Sequence, residues 1–177
     1  MFAIEDLMSL HPEQLFLNFS DEQREIAWQN SRSFSHPLSQ WNAYLNQLVI
    51  DTAIPGLQRE LDLNPTIWKQ NSLSSIWEIV NGTRLLLENR SLVMIPSETL
   101  ETEEFRVPQE WIDIPSWTAN YYLVVQIKPE YGYLHLWGYT THEQLKNRAV
   151  YDEFDRVYVM NQLDIIDDLD VMIVAQE

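Results

Sequence analysis

Residues 121–140 constrain this chain more than any other stretch. Tyr121 to Ile127 is dense in aromatic and β-branched residues, the composition that suits a pleated surface. Lys128-Pro129-Glu130-Tyr131-Gly132 then interrupts the run with a proline and a glycine, as a hairpin loop does. The return alternates with period two. Tyr131, Tyr133, His135, Trp137 and Tyr139 are expected on one face, with Leu134, Leu136, Gly138 and Thr140 on the other. Just before the hairpin, 107–117 carries Pro108, Pro115, Trp111 and Trp117.

At 177 residues, 45% of them hydrophobic and seven of them Trp, the chain can bury a sizeable core as one domain over 1–177. The absence of Cys excludes a disulfide scaffold, a thiolate nucleophile and any thiolate-ligated metal, and it fits a reducing cytoplasm. No basic segment precedes an apolar one at the N-terminus, so no signal peptide is expected. The aliphatic runs fall far short of the ~20 residues needed to span a bilayer.

The net charge of −16 is concentrated in 1–25, 98–113 and 152–177. A polyanion repels phosphate backbones and anionic lipid headgroups, which argues against nucleic acid and membrane surfaces. The charge reads first as a device for solubility in a salty cytoplasm and second as the mark of a basic protein partner.

Ordered along the chain, the signals place helices first and strands later. Phe2, Ile4, Leu7 and Leu10 suit a short amphipathic helix over Met1–Leu10, and Gln14–Phe19 a short strand. Ser20-Asp21-Glu22-Gln23 is a capping box opening a helix to about Ser31, with Ile26, Ala27 and Asn30 inward. Pro37 opens the strongest helix, in which Leu38, Trp41, Ala43, Tyr44, Leu45, Leu48, Val49 and Thr52 recur at helical spacing. Pro55-Gly56 is expected to break or kink it. Trp68, Leu73, Ile76 and Trp77 anchor a less regular stretch that ends at the Asn81-Gly82 turn.

Strands are expected over Arg84–Glu88, Leu92–Ile95 and Phe105–Val107, then the hairpin, then Arg156–Met160. The Thr-then-Glu spacing within Thr140–Leu145 suits a helical turn or two, Asp164 should cap a short helix to Leu169, and Val171–Ala175 should close the chain as an edge strand or docked tail. The fold class is therefore α+β. A helical N-terminal half (about 1–80) packs on a small, curved, mostly antiparallel sheet or partly open barrel built from 84–177.

No pattern specifies a reaction. His142-Glu143 lacks the second His of a zinc-protease helix, and His11 and His36 have no companion ligands nearby. Asp164, Asp167, Asp168 and Asp170 lack the spacing, central Gly and closing Glu of a calcium loop. With four Gly, the chain has neither a nucleophile elbow nor a phosphate-cradling loop. Glu110 and Asp113 beside Trp111 read as solvated acids on a surface turn rather than a glycosidase pair. No catalytic, metal or cofactor residue is therefore assigned.

What remains is an aromatic face made of Tyr131, Tyr133, His135, Trp137 and Tyr139, with Trp111 and Trp117. It is expected either to meet a ligand or partner, or to lie beneath the Trp41/Tyr44 helix. A non-catalytic interaction module is the leading reading. A small-ligand binder or enzyme using Tyr133/His135/Trp137 is the alternative, and it requires His135 to be reachable from solvent.

Several long segments resemble the cyanobacterial DUF1822 family. They are Ser75–Thr83, Leu92–Glu98, Glu104–Trp117, Val124–Ile127, Leu136–His142, Asp155–Tyr158 and Asp164–Val171. The resemblance covers the chain from about Trp41 onward. It implies a cytoplasmic protein with a regulatory or adaptor role, and it supplies no catalytic residue, cofactor or substrate.

Overall fold

The structure is a computed structural model that describes residues 15–68, 76–98 and 104–174, the side chains of Ile173 and Val174 excepted. The helix expected over Met1–Leu10, together with His11, Leu73 and Ala175, lies outside the described residues.

The hairpin forms as expected and is the centre of the fold. Strand β6 (Tyr121–Lys128) pairs antiparallel with β7 (Tyr133–Thr141). On the outer side of β7 lies β1 (Leu15–Asn18). On the other side of β6 follow β4 (Ser91–Ser97), β3 (Thr83–Leu86) and β2 (Thr66–Ile67). The curled six-stranded sheet therefore runs β1-β7-β6-β4-β3-β2, and it is antiparallel except at its middle, where β4 and β6 run parallel.

A parallel neighbour needs a crossover. The segment between β4 and β6 supplies it, depositing β5 (Glu104–Pro108) and the short helix α3 (Glu110–Asp113) on one face of the sheet. There β5 joins β8 (Val150–Asp152) and β9 (Val157–Asn161) in a separate three-stranded sheet ordered β5-β9-β8. Neither β8 nor this second sheet is anticipated from the sequence.

Both faces of the main sheet are thus covered, which is why β4 and β6 read as near-continuous apolar runs. On one face Leu85, Leu92, Met94, Leu123, Val125, Leu134 and Leu136 meet Leu45, Leu48, Val49, Ala53 and Leu57 of the long helix α2 (Pro37–Leu61). On the other, Val93, Ile95, Tyr122 and Val124 meet Phe105, Val107, Trp111, Ile112, Met160 and Leu145. Leu145 belongs to α4 (His142–Arg148), which opens with a capping box between Thr141 and Gln144.

The helix signals hold at their starts and less well along their faces. Ser20 and Gln23 form the expected reciprocal cap of α1 (Asp21–Ser31). Its inner face, however, is Ala27 and Ser31, while Ile26 and Asn30 are exposed, because α1 rests on α2 rather than on the sheet. In α2, Pro37 occupies the first turn and the His36 Nδ1 accepts from the Leu38 amide at 3.2 Å, so His36 is a helix cap. The first apolar residues, Leu38 and Trp41, stay outside the core.

Pro55-Gly56 does not break α2, which runs unbroken for 25 residues. Packing holds the turn together there. Gly56 lies against Leu17, whose Cδ1 would be 2.4 Å from a Cβ at that position.

The C-terminal segment departs furthest from expectation. Asn161, not Asp164, caps a 3-10 turn over Gln162–Asp164. Ile166 then pairs with Tyr139 along the β7 edge that β1 leaves free. The last described element is helix α5 (Leu169–Val174), which is docked through Leu169 and Met172 at helical spacing while Val171 between them stays exposed. Of the two expected forms, the edge strand is therefore not seen over the described residues.

Candidate functional site

The aromatic row is built by β7, and a bulge divides it. Val124 pairs with Gly138 but Val125 pairs with Leu136, which leaves Trp137 as an extra residue. From that point the alternation reverses. Tyr133, His135 and Trp137 lie opposite Leu134 and Leu136, whereas Tyr139 joins Leu134 and Leu136 in the α2-side core and meets Tyr121 edge-on at 5.4 Å. The five rings therefore do not share one face.

Nor is the row covered by Trp41 and Tyr44. Phe16 of β1 stacks on His135 with ring centroids 3.9 Å apart, and His135 is only 5% exposed. Tyr131 stands exposed at the hairpin loop, and Tyr133 and Trp137 are half-buried. The burial of His135 fails the condition on which the ligand-binding alternative rested.

Trp111 and Trp117 sit elsewhere. Trp111 is fully buried in α3 rather than on a surface turn, and it makes a ring cluster with Trp68 and Trp117. The Trp111 indole donates to the Asn81 carbonyl at 2.8 Å, and the Trp77 indole donates to the Gly82 carbonyl at 3.1 Å. The Asn81 side chain in turn joins α2 to β4, accepting from Asn46 at 2.7 Å and donating to the Pro96 carbonyl at 3.1 Å. Asn81-Gly82-Thr83 is thus an architectural joint.

The acids beside Trp111 are separated. Glu110 pairs with Arg156 at 3.3 Å, while Asp113 accepts from Lys146 at 2.5 Å and from the Tyr158 hydroxyl at 2.8 Å. Burial pushes the Asp113 carboxyl up, but the bonds from Lys146 and Tyr158 outweigh it and hold the group below its usual range. An ionised carboxylate tied to two donors is a poor general acid. His142 contacts the Ile112 carbonyl at 3.0 Å and so belongs to the same packing. Among the described residues no group of acids and histidines is placed to hold a metal. Of the C-terminal aspartates, Asp164 pairs with Arg148, and Asp168 accepts the Asp170 amide at the start of α5.

Two surfaces that the sequence reading passed over are more telling. The first is the β8–β9 hairpin. Asp152 accepts the amides of Phe154 and Asp155 and, with Asp155, binds Arg106, while Arg156 takes a left-handed turn. This ordered turn holds Phe154 out into solvent, 96% exposed, on the hairpin that also carries the exposed Val150 and Tyr151. Next to it lies a cleft of 710 Å³ lined by Glu104, Asp152, Glu153 and Asp164 as well as Arg106 and Arg148. An aromatic residue embedded in the acidic run 152–155 was the available signal.

The second surface is where α1 meets α2. Trp28, Trp41 and Tyr44 form a ring cluster at a cleft of 490 Å³ that Asp21, Arg24 and Glu25 also line. Here the helical period predicted an apolar-face position for Trp41, but it falls with Trp28 at the exposed rim of the α1–α2 contact.

A family of proteins of unknown function, DUF1822, matches residues 17–177. The chain belongs to that family. No curated protein and no solved structure matches it. Among the described residues no helix is long and apolar enough to cross a membrane.

Proposed function

We propose that this protein is a non-catalytic interaction module, acting in the cytoplasm in a regulatory or adaptor role, whose partner is a basic protein. The observation that carries the reading is Phe154 held almost wholly in solvent at the tip of a tied-down turn, beside a cleft whose four carboxylates, Glu104, Asp152, Glu153 and Asp164, outnumber its two arginines, Arg106 and Arg148. A rigid aromatic loses little conformational freedom on binding, which is the usual character of an interface anchor. Burying a phenyl ring of this kind is worth about 1.5–3 kcal/mol.

Charge selects the occupant. Two copies at −16 each repel, whereas a partner bearing Lys and Arg is attracted and steered. The burial of His135 further favours this reading over a ligand site on Tyr133/His135/Trp137.

The test is capture from native lysate with the wild-type chain and with a Phe154→Ser/Val150→Ser variant of unchanged melting temperature. The expected result is a stoichiometric basic protein that the variant loses and that raised salt releases. Equal capture by the variant, or no stoichiometric partner, overturns the reading.

A further inference from the structure

Three aromatic faces in this protein already receive a cation of its own. Arg84 lies over Trp68, Arg90 over Tyr121 and Lys146 over Tyr158, at 4.9, 5.5 and 5.2 Å from the ring centroids. The Trp28–Trp41–Tyr44 cluster differs. Among the described residues, no cation of the chain lies over any of its rings.

Arg24 lines the same cleft and its charge acts on the Tyr44 hydroxyl, but its guanidinium is already engaged. Arg24 binds Asp21 and donates from Nη1 to the Pro129 carbonyl at 2.6 Å, which ties it to the hairpin loop instead.

The rings make a corner rather than a stack. Trp28 stands at 90° to Tyr44 and 68° to Trp41, with centroids 5.6 and 6.5 Å away, while Trp41 and Tyr44 are tilted by 40° at 5.1 Å. Trp28 is 40% exposed and Trp41 nearly as much. Carboxylates stand alongside. Glu25 lines the cleft, and Glu98 accepts from the Trp41 indole nitrogen at 2.8 Å, which fixes that ring.

Exposed indole faces attract cations through the ring quadrupole, and adjacent carboxylates add countercharge. Aromatic rings alone would suit any flat apolar group. Acids alone would be a solvated surface. Their combination selects a cation with an apolar stem.

We propose that the Trp28–Trp41–Tyr44 corner binds the guanidinium or ammonium group of an arginine or lysine side chain presented by a protein partner. The site lies on α1 and α2, apart from the β8–β9 hairpin in sequence and in secondary structure, so it stands whether or not the reading of Phe154 does.

The indole N–H resonances of the full chain, assigned by single Trp→Phe substitutions, report the binding. The chain is titrated with N-acetyl-arginine amide, N-acetyl-lysine amide and tetramethylammonium, with N-acetyl-glutamine amide as the neutral control. Saturable shifts at Trp28 and Trp41 with the arginine and lysine probes, and none with the neutral one, are expected. Trp28→Leu should weaken this binding about three- to tenfold. Glu25→Gln should weaken it less and reduce its salt dependence. The remaining indole signals confirm that each variant is folded, and Phe154→Ser should leave the binding unchanged.

No saturable shift, an equal response to the neutral probe, or undiminished affinity in folded Trp28→Leu overturns the proposal. Binding of tetramethylammonium alone also overturns it, in favour of a small quaternary amine.

Discussion

Trp111 closes directly over Gly82. A Cβ on that glycine would stand 2.7 Å from the Trp111 indole nitrogen, and Gly82 has a φ of +122°, a backbone region that other residues rarely adopt. The turn therefore needs glycine for two independent reasons, space and conformation. Gly82→Ala is expected to destabilise the protein by about 2–4 kcal/mol, the sum of backbone strain and a displaced indole. Urea unfolding followed by Trp fluorescence measures it. A loss under about 0.5 kcal/mol means that Trp111 moves aside freely.

Asn46 is fully buried in α2 and holds three partners, namely the Asn42 carbonyl, the Asn81 side chain and the Thr83 hydroxyl. Asn46→Ala leaves the latter two short of a partner, which should cost about 2–3 kcal/mol. A double-mutant cycle with Thr83→Val should show a coupling above about 0.5 kcal/mol, and simple additivity argues against a connected network.

Two aspartates should respond to acid in opposite senses. Asp113 has a carboxyl held below its usual pKa, so its contribution is present above the unfolded value near 3.9 and is lost as pH falls through the folded one. With its side chain a third exposed, Asp113→Asn should cost only about 0.5–1 kcal/mol at pH 7, and less near pH 3. Asp51 is raised, chiefly by burial, although the Gln47 hydrogen bond lowers it. Its contribution is present at low pH and is lost as pH rises through the folded pKa, so Asp51→Asn should stabilise the protein at pH 7. Urea midpoints of both variants across pH 3–7 check the two signs together.

The charge of −16 makes the folded chain repel itself at low ionic strength. Raising salt from about 0.02 to 0.2 M should stabilise it by about 1 kcal/mol, or about 2–4 °C in melting temperature. A fall in melting temperature would show that ion pairs such as Arg106 with Asp152 and Asp155 outweigh the repulsion.

Buried beneath Phe16, His135 should resist diethylpyrocarbonate while exposed His36 reacts readily. Mass spectrometry of a time course separates the two. Comparable rates would reopen the Tyr133/His135/Trp137 face as a binding surface.

The sequence by itself determined whatever depends on neighbours three or four residues apart or on strand composition. The reciprocal cap of Ser20 and Gln23, the helix start at Pro37, the Thr141 cap and the pairing of 121–127 with 133–140 all follow from local chemistry. Tertiary structure alone decided the rest. The bulge at Trp137 accompanies a C-terminal approach from nearly thirty residues away, where a Cβ on Gly138 would be 2.5 Å from the Ile166 carbonyl oxygen. Trp111 is buried because the β4–β6 crossover carries it onto the sheet, while Phe154, no less apolar, is exposed because its turn is tied at an edge that nothing among the described residues covers. Hydrophobicity says which side chains gain from burial. Only the path of the chain decides which of them are buried, and so which surfaces it leaves open was illegible in the sequence.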